Sequence, residues 1–298
     1  MKLVECVPNF SEGRNSEIVD KIVEEIKKVD GVTLLDRESD PDHNRSVITF
    51  IGEPEAVKKA AFAACAKAGK IIDMNKHKGE HPRIGATDVI PFIPICDVTM
   101  EECVELAKKL GQEISTKLKI PVYLYAEAAT RPDRVKLPDI RKGEYEGLKE
   151  EIKTNTDKKP DFGPNKMHPT AGATVVGARH PLIAFNVNLN TNDLEVAKNI
   201  ARKIRESSGG FKAIQAMGFD IKERGIVQVS MNLLNYEVTS MFKVFDAIKE
   251  EAEKQGVEVI GSEVIGLVPM NALIDVAEKY LKIENFKKDQ ILERRLRE

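Results

Sequence analysis

The fold is decided near the start of the chain, in LVECVPNFSEGRNSEIVDKIVEEIKKVDGVTLL at positions 3–35. Residues 2–7 predict a short strand. Five apolar residues then recur at helical spacing before a glycine, namely Ile18, Val19, Ile22, Val23 and Ile26. Residues 32–35 and 47–51 predict two further strands, separated by a long polar connection. The chain therefore begins with the order strand, helix, strand, strand.

The next residues complete a known supersecondary pattern. An alanine-rich segment at 54–68 begins with proline and predicts a helix, and residues 88–95 predict a strand. The resulting order, βαββαβ, is typical of a ferredoxin-like arrangement, in which two helices pack on one face of an antiparallel sheet. Thr99 with Glu102 then predicts a capping box for another helix, and residues 122–125 predict a further strand.

The same order returns in the second half of the chain. The predicted elements are a strand at 182–187, a helix at 192–205, strands at 212–217 and 226–233, a helix at 240–254 and a strand at 257–260. Asn192 with Glu195 predicts a second capping box. We therefore expect an α+β protein of two ferredoxin-like subdomains, 1–180 and 181–298. The charged tail at 284–298 predicts a surface helix or a frayed end.

The charge balance argues against nucleic acid and anionic membranes as partners. The 298 residues include 46 Lys and Arg against 48 Asp and Glu, for a formal net charge of -2, so no basic footprint is present. The start turns acidic at Glu5 and reaches Pro8 before a signal-peptide-like run, and no window approaches about 18 uninterrupted apolar residues. These features predict a cytoplasmic protein that acts on small molecules. The four cysteines lack CxxC spacing, which favours reduced, buried thiols.

Two of the five histidines, His77 and His81, share the segment DMNKHKGEHPRIGATDVIPF at 73–92. Binding and catalytic groups concentrate on loops held by a rigid scaffold, so this loop is the first candidate for a functional site. The run HKGEH also matches H-x-x-E-H, a zinc metalloprotease signature. That site requires both histidines on one continuous helix, whereas Gly79 weakens a helix and Pro82 disfavours helical backbone at the preceding residue. We therefore predict no metal.

Several longer strings resemble those of the glutamate formiminotransferases, in order along almost the whole chain. They are LVECVPNFSEG at 3–13, HKGEHPRIGATDVIPFIP at 77–94, PVYLYAEAA at 121–129, DFGP at 161–164, GATVVGAR at 172–179, LIAFNVNL at 182–189 and VIGLVP at 264–269. The resemblance implies two ferredoxin-like subdomains and a homodimer. It also implies transfer of a formimino group between N-formimino-L-glutamate and tetrahydrofolate, the co-substrate, in histidine degradation. Vertebrate members carry a fused cyclodeaminase domain, which we do not expect in a chain of this length.

The resemblance further implies the residues of the site. His81, in the HPR triplet, corresponds to the family's catalytic histidine. The segment GPNKMHPTAG is implied to contact folate, and its residues are Gly163, Pro164, Asn165, Lys166, Met167, His168, Pro169, Thr170, Ala171 and Gly172. Its flanks match the family, whereas its interior differs from the vertebrate relatives. Since ligand sites favour interfaces between domains, we expect the folate in a groove between the two halves.

The implied reaction moves a proton between two nitrogens, because a folate nitrogen attacks the amidine carbon and the amine of glutamate leaves. Histidine titrates near neutrality and is suited to take and return that proton. The carboxylates of glutamate call for guanidinium groups, and Arg45 and Arg83 are the candidates. Glu38 is a third candidate on the glutamate side, at a position where the vertebrate relatives have aspartate.

Two other functions are compatible with the same residues. A formyl carbon differs from a formimino carbon by one heteroatom, so a glutamate formyltransferase that uses formyl-folate and formylglutamate is one alternative. Ferredoxin-like domains also occur as binding modules, so a non-catalytic folate-binding module is the other. The intact HKGEHPR loop argues against the binding module.

Overall fold

The computed structural model describes residues 1–295 and divides the chain into two compact units, Met1–His180 and Pro181–Glu298. Each unit combines helices with one sheet, which makes the protein α+β. The strands are β1 (Leu3–Cys6), β2 (Asn9–Phe10), β3 (Val32–Asp40), β4 (Arg45–Gly52), β5 (Thr87–Cys96), β6 (Val122–Ala126), β7 (Thr174–Ala178), β8 (Ile183–Leu189), β9 (Ile214–Ile221), β10 (Ile226–Leu233) and β11 (Val259–Ile265). The helices are α1 (Ser16–Lys27), α2 (Pro54–Ile71), α3 (Met100–Leu118), α4 (Leu137–Ile140), α5 (Glu144–Glu151), α6 (Leu194–Ile204), α7 (Met241–Lys254), α8 (Met270–Leu281) and α9 (Leu292–Arg295). Short 3-10 turns lie at Pro132–Arg134, Thr156–Lys158, Glu206–Ser208, Lys222–Arg224 and Lys288–Gln290.

The sheet of the first unit is built around a strand that a proline interrupts. β1 and β2 lie in line between β4 and β5, and both pair antiparallel with each of them. Pro8 lies in the gap because proline has no N–H to donate to a ladder. Its carbonyl still accepts the backbone N–H of Ile48 at 3.1 Å. With β3 paired antiparallel to β4, these strands take the order β3, β4, β1/β2, β5.

β3 and β4 form a tight hairpin where the sequence predicted a long polar connection. β3 continues to Asp40 and β4 begins at Arg45, so most of the polar stretch is strand. The last residues of β3 are exposed, and the pairing of an edge strand depends on backbone hydrogen bonds rather than on apolar side chains. The hairpin places Arg45 directly after the turn at 41–44.

The helices α1, α2 and α3 share one core with this sheet. The side chain of Asn15 caps α1 by accepting the backbone N–H groups of Glu17 and Ile18. The predicted capping box of Thr99 and Glu102 is confirmed at the start of α3. The largest fully buried side chains of the sheet below the helices are Phe10, Phe50 and Phe92.

The strand β7 makes this sheet mixed, and the sequence analysis did not predict it. β7 lies between β5 and β6 and pairs parallel with both. All its residues are buried, and a short apolar run without alternation does not identify a strand by periodicity. On the second face of this half, Ile140 of α4 and Leu148 of α5 pack with Val175. The expectation of helices on one face alone therefore does not hold in the first unit.

The second unit contains a four-stranded antiparallel sheet with the order β11, β8, β10, β9. Its core includes the buried faces of α6 and α7. The predicted Asn192 cap is wrong, because Asp193 caps α6 and accepts the backbone N–H of Glu195 at 2.9 Å. Asp193 is an equally good capping residue, and α6 begins at Leu194, two residues after the predicted start at 192. The helix α8, which was not predicted, adds Ala272 to this core.

The charged tail is partly described by the structure. It contains the 3-10 turn Lys288–Gln290 and α9, and the last three of the residues predicted as a surface helix or frayed end lie outside the described range. Within residues 1–295, no helix combines the length and apolar character needed to cross a membrane.

Candidate active site

The two histidines of HKGEH lie in an irregular loop, residues 72–86, which joins α2 to β5. The loop packs against the turn of the β3–β4 hairpin, where Nδ2 of Asn44 donates to the carbonyl oxygen of Lys78 at 2.9 Å. A Cβ atom at Gly79 would lie 2.2 Å from the carbonyl oxygen of His43, so a side chain cannot be accommodated there without movement of the backbone. This close packing holds the loop in place.

The ring of His81 is half-buried and has polar partners on both nitrogens. Nδ1 lies 2.7 Å from the carbonyl oxygen of Pro82, and Nε2 lies 2.8 Å from Nη1 of Arg45. Nη1 also lies 2.7 Å from Nδ1, so the guanidinium sits beside the ring. The carbonyl of Pro82 only accepts, so it favours the tautomer with the proton on Nδ1, whereas the guanidinium lies about equally close to both nitrogens and does not distinguish them. In this tautomer Nε2 is the basic nitrogen.

The surroundings of His81 disfavour its protonated form. Burial is the largest cause, and the charges of Arg45 and then Arg141 add to it, which lowers the pKa of His81 to about 3. The charge of Asp88 and the carbonyl of Pro82 act in the opposite direction. In this state His81 is neutral at pH 7, but a base with so low a pKa is poorly matched to proton transfer near neutrality.

A buried carboxylate connects the histidine site to a distant segment of the first unit. Asp88 is 1% exposed, and its Oδ1 accepts the backbone N–H of Ile84 at 2.9 Å. Its Oδ2 accepts a hydrogen bond from Nη2 of Arg141 in a close ion pair. The same oxygen lies 3.6 Å from Nη1 of Arg45. Asp88 is thus shared by two arginines.

Arg45 is held between His81 and Asp88. Its Nη2 donates to Oδ1 of Asn9, while Nη1 faces the imidazole. Burial lowers the pKa of Arg45 to about 10, and the nearby charge of Asp88 opposes this effect. Arg45 therefore remains a cation at neutral pH.

His77 has a structural role in the same loop. Its Nδ1 accepts from Nε of Arg83 at 3.2 Å, and its Nε2–H donates to the carbonyl of Asn44 at 2.9 Å. Burial is the main reason that the pKa of His77 is lowered. Because the loop is not helical and both ring nitrogens are engaged, residues 77–81 lack the geometry of the H-x-x-E-H zinc site. In the part of the chain that the structure describes, no group of three or more His, Cys, Asp or Glu is arranged to hold a metal ion.

The guanidinium of Arg83 has protein partners on all three nitrogens. Nη1 lies 2.6 Å from Oε2 of Glu144 and 2.9 Å from Oε2 of Glu146, and Nη2 lies 2.7 Å from Oε1 of Glu146. Nε donates to His77, and only 6% of the residue is exposed. These contacts join the 72–86 loop to α5. The predicted contact of Arg83 with glutamate would require these ion pairs to open.

Glu38 lies on the edge strand β3 and is exposed. It is paired directly with Val47 of β4, and Val47 and Arg45 are two residues apart on that strand. Residues directly opposite each other share a face of the sheet, as do alternate residues of one strand. Glu38 therefore faces the same side as Arg45. Within residues 1–295, its carboxylate forms no hydrogen bond or ion pair with another residue.

The predicted folate segment, residues 163–172, ends in a tight turn. The backbone groups of His168 and Gly172 exchange two hydrogen bonds, at 3.1 and 3.3 Å. Nδ1 of His168 accepts the backbone N–H groups of Thr170 and Ala171, at 3.3 and 3.0 Å. His168 is thus a structural residue of the turn, and burial lowers its pKa.

This turn is paired with the end of the 72–86 loop. The backbone N–H of Ala86 donates to the carbonyl of Ala171 at 2.8 Å. A Cβ atom at Gly85 would lie 1.8 Å from the carbonyl oxygen of Ala173, so glycine is required for the two backbones to approach this closely. The structure therefore brings the predicted folate segment alongside the loop that carries the histidines.

The residues of the folate segment differ in how accessible they are. Met167 packs against the core, and Ala171 is 2% exposed. The exposed residues of the segment are Gly163, Asn165, Lys166 and Pro169. These four residues are accessible to a large ligand in this conformation, whereas Met167, His168 and Ala171 maintain the turn.

The side chains around His81 line a small, partly open cleft. Its walls are Phe10, Ser11, His43, Asn44, Arg45, His77, His81, Arg83 and Asp88. The ring of His43 stands edge-on to His81 at 6.0 Å and is itself held by Asp40. In this conformation the space between these walls holds no more than about one water molecule.

The cysteines are separate from this chemistry. Cys6, Cys65 and Cys103 are buried as predicted, whereas Cys96 is exposed. Burial raises the pKa of Cys65 and Cys103 to about 12, which keeps both thiols protonated and poorly nucleophilic.

Sequence reasoning assigned no role to Arg141 or to Asp88. The sequence around Asp88 could have indicated its role, because a carboxylate inside the apolar strand TDVIPFIP requires a partner if it is buried. The sequence around Arg141 gives no such indication. Arg141 lies in IRKGEY at 140–145, which has no motif spacing, and is 53 residues from Asp88 in sequence.

Comparisons with known proteins give the family. Residues 3–179 match the formiminotransferase domain, N-terminal subdomain, and residues 184–295 match the formiminotransferase domain. The chain belongs to the formiminotransferase family. A protein of Streptococcus pyogenes serotype M1 named glutamate formimidoyltransferase is 52% identical over 296 residues, with 99% of each chain covered.

Two further relatives extend the comparison. A glutamate formimidoyltransferase of Thermoplasma acidophilum is 51% identical and covers 99% of this chain and 98% of its own length. The formimidoyltransferase-cyclodeaminase of Mus musculus is 49% identical over 94% of this chain, which matches only 52% of the mouse protein. The chain therefore spans about half of that bifunctional relative.

Proposed function

We propose that this chain is a glutamate formimidoyltransferase, an enzyme that transfers a formimino group between N-formimino-L-glutamate and tetrahydrofolate. The similarity along the full chain to two proteins of that name carries the proposal. The site supports it, because a neutral histidine, a buried cation and the predicted folate segment lie in one unit. His81 is the general acid and base of the reaction.

The proton transfers follow from the state of His81. A ring nitrogen of tetrahydrofolate attacks the formimino carbon, and a tetrahedral intermediate forms. Nε2 of His81 accepts the proton from the attacking nitrogen and returns it to the nitrogen of glutamate. The C–N bond to glutamate then breaks and the amine leaves, so the histidine regains its starting state. No covalent link to the protein forms.

Arg45 and Glu38 complete the side that binds formiminoglutamate. A carboxylate of the donor takes over N–H groups of Arg45, because a charge-assisted hydrogen bond is stronger than one to imidazole. This frees Nε2 and offsets the charge of Arg45, which is the second cause of the low pKa of His81 after burial, so the pKa rises from about 3. Glu38, which faces the same side, pairs with the amidinium end of the donor. Arg83 can contact the donor only if its ion pairs with Glu144 and Glu146 open.

The folate contacts come from the exposed part of the 163–172 segment. Lys166 supplies a cation for the glutamyl tail of folate, and Asn165 supplies amide hydrogen bonds. The turn held by His168 fixes their position relative to the His81 loop.

We also propose that both units are ferredoxin-like subdomains, 1–180 and 181–298, of a cytoplasmic homodimer. The strand order β5, β1, β4, β3 in the first unit and β11, β8, β10, β9 in the second supports the fold assignment. Exposed sheet edges and the family support the dimer. A monomeric mass at micromolar concentration would contradict the dimer.

Steady-state turnover tests the function. We expect tetrahydrofolate and formiminoglutamate to react, with release of glutamate, and formylglutamate to react more slowly. Turnover of formylglutamate alone would make the chain a formyltransferase. Folate binding without turnover of either donor would make it a binding module.

A further inference from the structure

Arg141 is buried next to the site but uses only part of its hydrogen-bonding capacity. Its side chain is 10% exposed, and Nη2 pairs with Asp88. Its Nε is buried without a hydrogen-bond partner, and Nη1 forms no hydrogen bond with any other residue of 1–295. A buried donor without an acceptor is costly, so Arg141 is built to receive a further acceptor.

The charges around His81 are unbalanced in favour of cations. Arg45 and Arg141 share the single carboxylate of Asp88, and His81 is neutral. The charge of Arg141 reaches both Arg45 and His81, since it lowers the pKa of each. Arg45, Arg141, Asp88 and His81 together therefore carry a net positive charge in a largely buried setting, which favours an anionic ligand.

We propose that Arg141 binds a carboxylate of the formimino donor beside His81, an inference that rests on the proposed function. The planar fork of a guanidinium matches a carboxylate with two parallel hydrogen bonds. Formiminoglutamate has two carboxylates, so Arg45 and Arg141 can each receive one. Arg83 differs from Arg141, because Glu144 and Glu146 already occupy its fork.

Donor binding at this position also activates the histidine. A carboxylate on Arg141 cancels one of the two cationic charges that act on the His81 ring, and a carboxylate on Arg45 cancels the other. The substrate thereby makes Nε2 more basic as it binds. A formimino donor without carboxylates would bind weakly and would leave His81 a poor base.

The test measures kcat/KM for several enzyme variants, each with the full donor and with two donors that lack one carboxylate. The donors are N-formimino-L-glutamate, N-formimino-4-aminobutyrate, which lacks the α-carboxylate, and N-formimino-2-aminobutyrate, which lacks the side-chain carboxylate. We expect Arg141→Gln to lower kcat/KM for formiminoglutamate roughly 10- to 100-fold. For the donor that lacks the carboxylate bound by Arg141, the same substitution should cost no more than about 3-fold.

The ratio of kcat/KM between two donors does not depend on how much of the enzyme is folded. Each ratio is measured on one enzyme preparation, so a partly unfolded variant changes all three rates equally. Arg83→Gln is the matched control, since Arg83 is also buried and paired with carboxylates in the same unit. It should change all three donors by one common factor. Arg141→Lys keeps the charge without the fork and should restore part of the selective loss.

The outcomes separate this inference from the proposed function. Equal losses for all three donors in Arg141→Gln, or a selective loss in Arg83→Gln instead, would overturn the role of Arg141. Failure of the unaltered protein to use formiminoglutamate would overturn the function itself.

Discussion

The two units have sheets with corresponding strand orders, but they differ in the connection that leads to the last strand of the βαββαβ order. In the first unit, α2 is joined to β5 by the long loop 72–86, which carries His77 and His81. In the second unit, α7 is joined to β11 by residues 255–258 only. The candidate histidine therefore lies in a loop of the first unit that has no counterpart in the described part of the second unit, although the two sheets have corresponding strand orders.

The first unit also has elements that the second lacks within the described residues. The segment between β6 and β7 holds α4 and α5, and it delivers Arg141 to Asp88 and two glutamates to Arg83. The ion pairs of Arg83 join this segment to the 72–86 loop. The loop is thus held from two directions, by the β3–β4 hairpin and by this segment.

The largest expected effect is the loss of His81. Without a group to carry the proton, His81→Ala should lower turnover roughly 100- to 10,000-fold while tetrahydrofolate still binds. His81→Asn should behave similarly, since an amide cannot cycle a proton near neutrality. Single-turnover rates and folate affinity measure the two effects.

His77→Ala is the control from the same loop and should do less harm, because His77 only supports the backbone. Near-normal turnover of His81→Ala would refute the assignment. A large loss of affinity without a chemical defect would make His81 a binding residue.

A smaller effect concerns the pH dependence set by Arg45. His81 must be neutral to act as a base, so kcat/KM falls as the pH drops through its pKa in the free enzyme, about 3. Arg45→Gln removes the nearest cation and raises this pKa. The acidic side of the plot of kcat/KM against pH should therefore move to higher pH. We also expect kcat/KM at pH 8 to fall roughly 10- to 100-fold from lost donor contacts. An acidic side that stays in place would show that Arg45 does not control His81.

A third effect tests how tightly the first-unit loop is packed. Gly79→Ala places a methyl group against the backbone at His43 and should lower the free energy of unfolding by about 1–3 kcal/mol. Gly261→Ala in β11 is the matched substitution in the second unit, where a Cβ atom would meet open space, and should change it by less than about 0.5 kcal/mol. Thermal unfolding measures both. Equal effects would mean that the loop is not tightly held.

The smallest effect is expected in the second-unit connection. A Gly-Ser insertion after Gln255 lengthens an exposed turn and should cost under about 0.6 kcal/mol of stability without changing kcat. The same insertion after Gly79 should leave the fold intact but reduce turnover, because it displaces His81. Chemical denaturation and initial rates compare the two insertions, and a matching loss of turnover in both would break the distinction between the units.

Local patterns in the sequence were sufficient to predict much of the fold. The apolar spacing of α1 and the capping box of α3 depend on residues within a few positions of each other, and both agree with the structure. The density of histidine likewise indicated the 72–86 loop as a candidate site, and the family resemblance implied His81 within it. The cap of α6 shows the limit of such signals, since Asn192 and Asp193 are equally suitable and only the backbone selects between them.

The sequence by itself determined the helices, most strands and the loop that carries the candidate histidine, because these depend on local periodicity, capping and composition. Only the tertiary structure decided the partners of each charged group. Arg45, Arg83 and Arg141 look alike in sequence, yet one contacts His81, one is neutralised by two glutamates and one shares Asp88 with spare donors. Ion pairs between segments 53 or more residues apart depend on how the sheet brings those segments together, and no local pattern encodes that.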